Sequence, residues 1–137
     1  MAAVKELIRA EVNGTLSFGD YTLEQKAKLD GYDFQGNLYK VKTFQEITKL
    51  ERNGMFAYES VPGTNVTGFA ANDKEMEFTV EGTTDTQVAL GLEPETEFKL
   101  YIDGTNIGKM KTNLGGKLVF SLPLAAGRSS EVRVVKQ

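Results

Sequence analysis

The stretch Glu75-Met76-Glu77-Phe78-Thr79-Val80 alternates polar and apolar side chains without a break. In an extended backbone successive side chains point to opposite faces, so Met76, Phe78 and Val80 share one side and Glu75, Glu77 and Thr79 the other. Alternation with one polar face marks a half-buried antiparallel strand; a helix would repeat its apolar residues every three or four positions. Glu97-Phe98-Lys99-Leu100-Tyr101-Ile102 repeats the pattern, with Phe98, Leu100 and Ile102 inward. Leu118 and Phe120 alternate with Val119 and Ser121, and Val132 and Val134 with Arg133 and Val135.

Between these runs stand turn signals: Asn13-Gly14, Gly19-Asp20, Asp30-Gly31, Gly36-Asn37, Asn53-Gly54, Pro62-Gly63, Asn72-Asp73, Glu81-Gly82, Glu93-Pro94, Asp103-Gly104, Gly115-Gly116 and Ala126-Gly127. Asn-Gly and Asp-Gly tolerate positive φ at both positions, as two-residue hairpin turns require. The spacing predicts an all-β chain: an antiparallel β-sandwich, Ig-like or jelly-roll-like, with an N-terminal set of β-hairpins and little or no helix. Two segments read both ways. Residues 2–12 fit a short amphipathic helix (Val4, Leu7, Ile8, Val12) or a hairpin arm turning at Asn13-Gly14. Residues 43–53 carry a capping-box pattern from Thr43 to Glu46, yet lead into Asn53-Gly54, a strong hairpin signal. A soft boundary at Val61-Pro62-Gly63-Thr64 divides a hairpin region, residues 1–62, from a sandwich, residues 63–137. The two halves share a core or form one continuous domain.

The 137 residues suit one ordinary domain able to bury a core. Sixteen basic residues face nineteen acidic ones, for a net charge of −3. That balance argues against nucleic acid or an anionic membrane as partner. Cysteine and histidine are absent. Their absence excludes disulfides, thiolate nucleophiles, the Ser-His-Asp triad and most zinc and copper sites. The chain also lacks tryptophan, the best sugar-stacking ring. No apolar run approaches the roughly 20 residues that span a bilayer, and the first residues do not read as a secretory signal. The expectation is a cytoplasmic protein, with a surface or phage-particle role still open.

No constellation reads as catalytic. Glu75, Glu77 and Glu81 share an outward face, and Glu93, Glu95 and Glu97 alternate through a loop; paired carboxylates can hydrolyse glycosides, but here they read as a solvated face. Asp30-Gly-Tyr-Asp33 and Asp103-Gly-Thr-Asn106 offer too few oxygens for calcium and read as turns. Gly115-Gly116-Lys117 lacks the spacing and following helix of a phosphate loop. Ser17, Ser60, Ser121, Ser129 and Ser130 sit in no nucleophile motif. Aromatic residues remain. Eight of the chain's thirteen lie in the first 61 residues, and Tyr32, Tyr39 and Tyr58 are the candidate binding rings of a sheet-borne platform. No cofactor and no metal are expected.

Two resemblances add expectations. Leu92-Glu-Pro94-Glu-Thr96-Glu-Phe98 resembles the entry to a late strand of fibronectin type III domains, with Phe98 where that family carries tyrosine. Residues 85–136, with their Tyr101–Leu122 run and closing Val132-Arg-Val-Val, are similar to accessory β-sandwich modules of bacterial glycoside hydrolases. Over the whole chain, Gly14-Thr-Leu-Ser-Phe-Gly-Asp-Tyr21, Leu38-Tyr-Lys-Val-Lys-Thr43, Ile47–Gly54, Tyr58–Thr64 and Gly108–Asn113 resemble a group of short bacterial all-β proteins that carry the automatic name endosialidase. That name implies a carbohydrate-active enzyme. A sialidase propeller needs a longer chain and clustered arginines, and only Arg9, Arg52, Arg128 and Arg133 are present.

The reading that follows is a non-enzymatic β-sandwich module that binds a protein or a glycan, or self-assembles. Two alternatives stand beside it: a carbohydrate-active enzyme, and a carrier of a small apolar ligand.

Overall fold

The structure is a computed structural model that describes residues 4–137. Thirteen strands and no helix make up its regular structure. One sheet contains β1 (Ile8–Ala10), β2 (Leu16–Phe18), β7 (Asn65–Ala71), β8 (Glu75–Glu81), β13 (Ser129–Lys136), β10 (Glu97–Ile102) and β11 (Thr105–Lys111), in that spatial order. The other contains β12 (Lys117–Leu122), β9 (Thr86–Gly91), β6 (Met55–Val61), β5 (Ile47–Arg52), β4 (Asn37–Phe44) and β3 (Ala27–Phe34). Every pairing is antiparallel. The two sheets pack face to face into an antiparallel sandwich.

The inward residues are those the alternation selects. Met76, Phe78 and Val80 on β8, Val132 and Val134 on β13, and Phe98 and Leu100 on β10 meet Leu118 and Phe120 of β12, Val88 and Leu90 of β9, Tyr58 of β6 and Leu50 of β5 in one cluster. Residues before and after position 62 supply strands to both sheets, so neither half owns a separate core. Thirteen strands exceed the seven to nine of an Ig domain and the eight of a jelly roll.

Three hairpins turn on two residues with positive φ at both: Gln35-Gly36 (52° and 81°), Asn53-Gly54 (52° and 78°) and Asp103-Gly104 (52° and 80°). That is the backbone requirement of a type I′ turn, whose twist matches the flanking strands. The first of these corrects the expected Gly36-Asn37 turn by one residue, since Asn37 already pairs with Phe34. Asp30-Gly31 is not a turn but a bulge inside β3: the two residues oppose Lys40 alone, with Gly31 at φ 72°.

Both ambiguous segments are hairpin arms. Ile8–Ala10 pairs with Leu16–Phe18 around Gly14; residues 2 and 3 of the first segment lie outside the described residues. The Thr43–Glu46 pattern caps no helix. Phe44 pairs with Ile47 across a turn at Gln45-Glu46, and the Thr43 side chain turns inward to hydrogen-bond Thr48 instead. No helix of the described residues is long and apolar enough to cross a membrane.

Candidate functional site: a cleft at one end of the sandwich

The β5–β6 and β7–β8 turns stand at the same end of the molecule, on opposite sheets. Between them the sheets part into a cleft of about 590 Å³. Its floor is the last layer of the core: Tyr39, Phe69, Met76 and Phe98. Its lips are polar. Arg52 and Asn53 belong to one sheet, Asn72 and Asp73 to the other, and Glu93 and Lys136 close one side.

Local sequence chemistry fixes both lips. Tyr39 and Arg52 are directly opposed across β4 and β5, which puts the guanidinium on the same face as the phenol. The Asn53 amide oxygen accepts from the Leu38 N–H at 2.9 Å, while its amide nitrogen donates to the Asn37 side chain at 2.9 Å. The Asn72 oxygen accepts from the N–H groups of Lys74 and Glu75 at 2.8 and 3.0 Å, a local cap that presents Asp73 outward. Lys136 donates to Glu93 at 2.8 Å, and this bond holds the Glu93 carboxyl below its ordinary value. Glu75 is likewise engaged, with Arg133 at 2.9 Å. Among the described residues no partner contacts the Tyr39 hydroxyl, the Arg52 guanidinium or the Asp73 carboxylate through a hydrogen bond or ion pair.

The three candidate tyrosines do not form a platform. All three lie on inward positions, where β-alternation places them with core residues. Tyr58 is fully enclosed, edge-on to Phe18 and Phe78 with ring centroids 5.4 Å away in each case. Its hydroxyl bonds Thr64, and burial pushes its pKa up to about 12. It is a core residue that no ligand can stack on, which corrects the expectation. Tyr32 is half-buried, and its hydroxyl accepts from the Ala10 N–H at 3.0 Å, tying the edge strands of the two sheets together. Tyr39 alone reaches the cleft. Arg52 and Asp73 are not singled out by sequence; the Asn72-Asp73 turn is legible, but not that it lines the same cleft as Arg52.

Other candidates resolve into structure. Asp30, Asp103 and Asn106 spend a side-chain oxygen on backbone N–H groups of Gly31, Glu131 and Gly108. No group of three or more acidic side chains that could hold a metal ion occurs among the described residues. Ser60, Thr64 and Tyr58 form a buried hydroxyl cluster with every bond made internally. A second, open concavity of about 400 Å³ lies on the outer face of the seven-stranded sheet, where Arg133 stands 5.7 Å from the Tyr101 ring.

No protein-family model, no curated protein and no solved structure matches the chain.

Proposed function

We propose that the protein is a non-enzymatic binding module whose end cleft takes a short glycan. The observation that carries this reading is the set of three partnerless polar groups, Tyr39, Arg52 and Asp73, ranged above an apolar floor of Phe69, Met76 and Phe98. A sugar ring has an apolar C–H face and a rim of hydroxyls. The floor would take the first; the phenol, guanidinium and carboxylate would take the second. A volume of about 590 Å³ lies within the usual range of ligand clefts. Hydrolysis would need two carboxylates across the bond. Asp73 is the one cleft carboxylate without an ion pair among the described residues, since Glu75 and Glu93 are held by Arg133 and Lys136.

A glycan array followed by calorimetry on the strongest hits tests the reading. Asp73→Ala and Arg52→Ala should each weaken binding about tenfold while leaving the fold intact. An array without hits, or hits indifferent to both substitutions, would refute it. The Phe69, Met76 and Phe98 floor also favours a second reading, an amphiphilic ligand with one apolar arm; a fatty-acid and sterol panel separates the two.

A further inference from the structure

We propose that the outer face of the six-stranded sheet binds a diphosphate group, in the depression framed by Lys28, Lys40, Lys42 and Lys49. The depression measures about 70 Å³, and Glu51 is its one other lining residue. Glu51 ion-pairs with Lys49 at 3.7 Å, so four ammonium groups against one carboxylate leave three positive charges on a chain whose net charge is −3. That excess is close to the charge of a diphosphate at neutral pH.

Register makes the arrangement costly without an anion. Lys42 lies directly opposite Lys28 on one side and directly opposite Lys49 on the other. Like charges facing each other across strands destabilise a sheet. Lysines on an edge strand guard against unwanted pairing, which accounts for Lys28 on β3. It does not account for Lys42, which sits on the second strand in, where both backbone edges are already paired. Lys49, one strand further, has Glu51 at 3.7 Å and Glu59 directly opposite, so the unbalanced position is Lys42. The row spans two strand spacings, about 10 Å, and so offers more than one phosphate a counter-charge. Burial, with the ammonium groups of Lys26, Lys49 and Lys28, also holds Lys42 below the ordinary lysine value, although Glu59 pulls the other way. The face offers lysines rather than arginines, suited to phosphate as point charges. This assignment stands on residues outside the end cleft and does not depend on the glycan reading.

Calorimetry and thermal unfolding with sodium pyrophosphate, ADP, orthophosphate and sodium chloride at matched ionic strength provide the test. Pyrophosphate should bind saturably and raise Tm beyond the chloride control. Lys42→Thr should raise the ligand-free Tm, because it relieves two like-charge contacts, and weaken pyrophosphate binding about tenfold. Lys111→Thr, on the other sheet, should change neither. If ADP binds as pyrophosphate does, the group is read within a diphosphate ester; if only pyrophosphate binds, the free ion is the ligand. Pyrophosphate acting no differently from chloride or orthophosphate, or binding unchanged in Lys42→Thr, would overturn the assignment.

Discussion

The Thr48 hydroxyl donates to the Thr64 carbonyl at 2.7 Å and accepts from the Thr64 N–H at 3.1 Å. Thr48 sits on β5 and Thr64 ends the crossover that carries the chain from β6 in one sheet to β7 in the other. The bond therefore ties the crossover to the sheet it leaves. It continues a directional chain: the Asp20 N–H donates to Thr43, whose hydroxyl is left to donate to Thr48, 2.8 Å away. All of these groups are buried, so each donor has one internal partner or none.

Replacing Thr48 with valine keeps the shape and removes the hinge of this chain. The Thr64 carbonyl and N–H and the Thr43 hydroxyl would lose their partner in a dry site. A loss of about 3 kcal/mol is expected, read by urea unfolding. A loss under about 1 kcal/mol would mean that water enters and replaces the hydroxyl.

Three tyrosines in different surroundings predict one large cost and two small ones for the same lost oxygen. Tyr58→Phe breaks a buried bond to Thr64 and should cost about 1–2 kcal/mol. Tyr32→Phe releases an exposed Ala10 N–H to water and should cost less than about 0.5 kcal/mol. Tyr39→Phe removes a hydroxyl with no partner and should leave stability within about 0.5 kcal/mol of the parent. Parallel denaturation curves on the three variants give the ranking directly.

Glycines at turns should divide by what surrounds them. Gly116 has φ +84°, and a Cβ there would stand 2.2 Å from the Leu92 carbonyl oxygen. Leu92 also donates its N–H to the Gly116 carbonyl at 2.7 Å, so neither segment can retreat without breaking the contact. Gly104 has φ +80° with open space around it. Gly104→Ala should cost about 1 kcal/mol, the backbone strain alone. Gly116→Ala should cost at least twice that, and equal Tm shifts for the two would contradict the packing described.

Alkali should unfold the protein through Tyr58. Its pKa rises from 10.0 to about 12 on folding, because burial disfavours the phenolate. A raised folded pKa means that the native state holds its proton while the unfolded chain loses it. The stabilisation is whole below pH 10 and disappears as the pH climbs towards 12, for a total of about 2–3 kcal/mol. Tyr21, raised by burial and then by Glu81 and Asp20, adds in the same direction. Absorbance at 295 nm against pH should show one tyrosinate step that coincides with loss of structure, and Tyr58→Phe should remove it.

Local alternation made the strands legible because period two is written into each segment. Glu75–Val80 and Glu97–Ile102 need no partner to declare which side is apolar, and Asn53-Gly54 and Asp103-Gly104 carry their positive φ in their own residue types. Composition likewise removed histidine and cysteine chemistry at once. The missed features are relations between segments. Asp30-Gly31 has the composition of a turn, and only its pairing against Lys40 makes it a bulge. Tyr32, Tyr39 and Tyr58 look equivalent along the chain, yet their environments differ because Tyr58 meets the opposite sheet at mid-strand and Tyr39 meets it where the sheets part. Arg52 and Asp73 lining one cleft from opposite sheets, and Lys42 set between Lys28 and Lys49, depend on register and sheet order. Those are global properties: a strand's own side chains choose its faces, whereas its neighbours are chosen by the packing of the whole core.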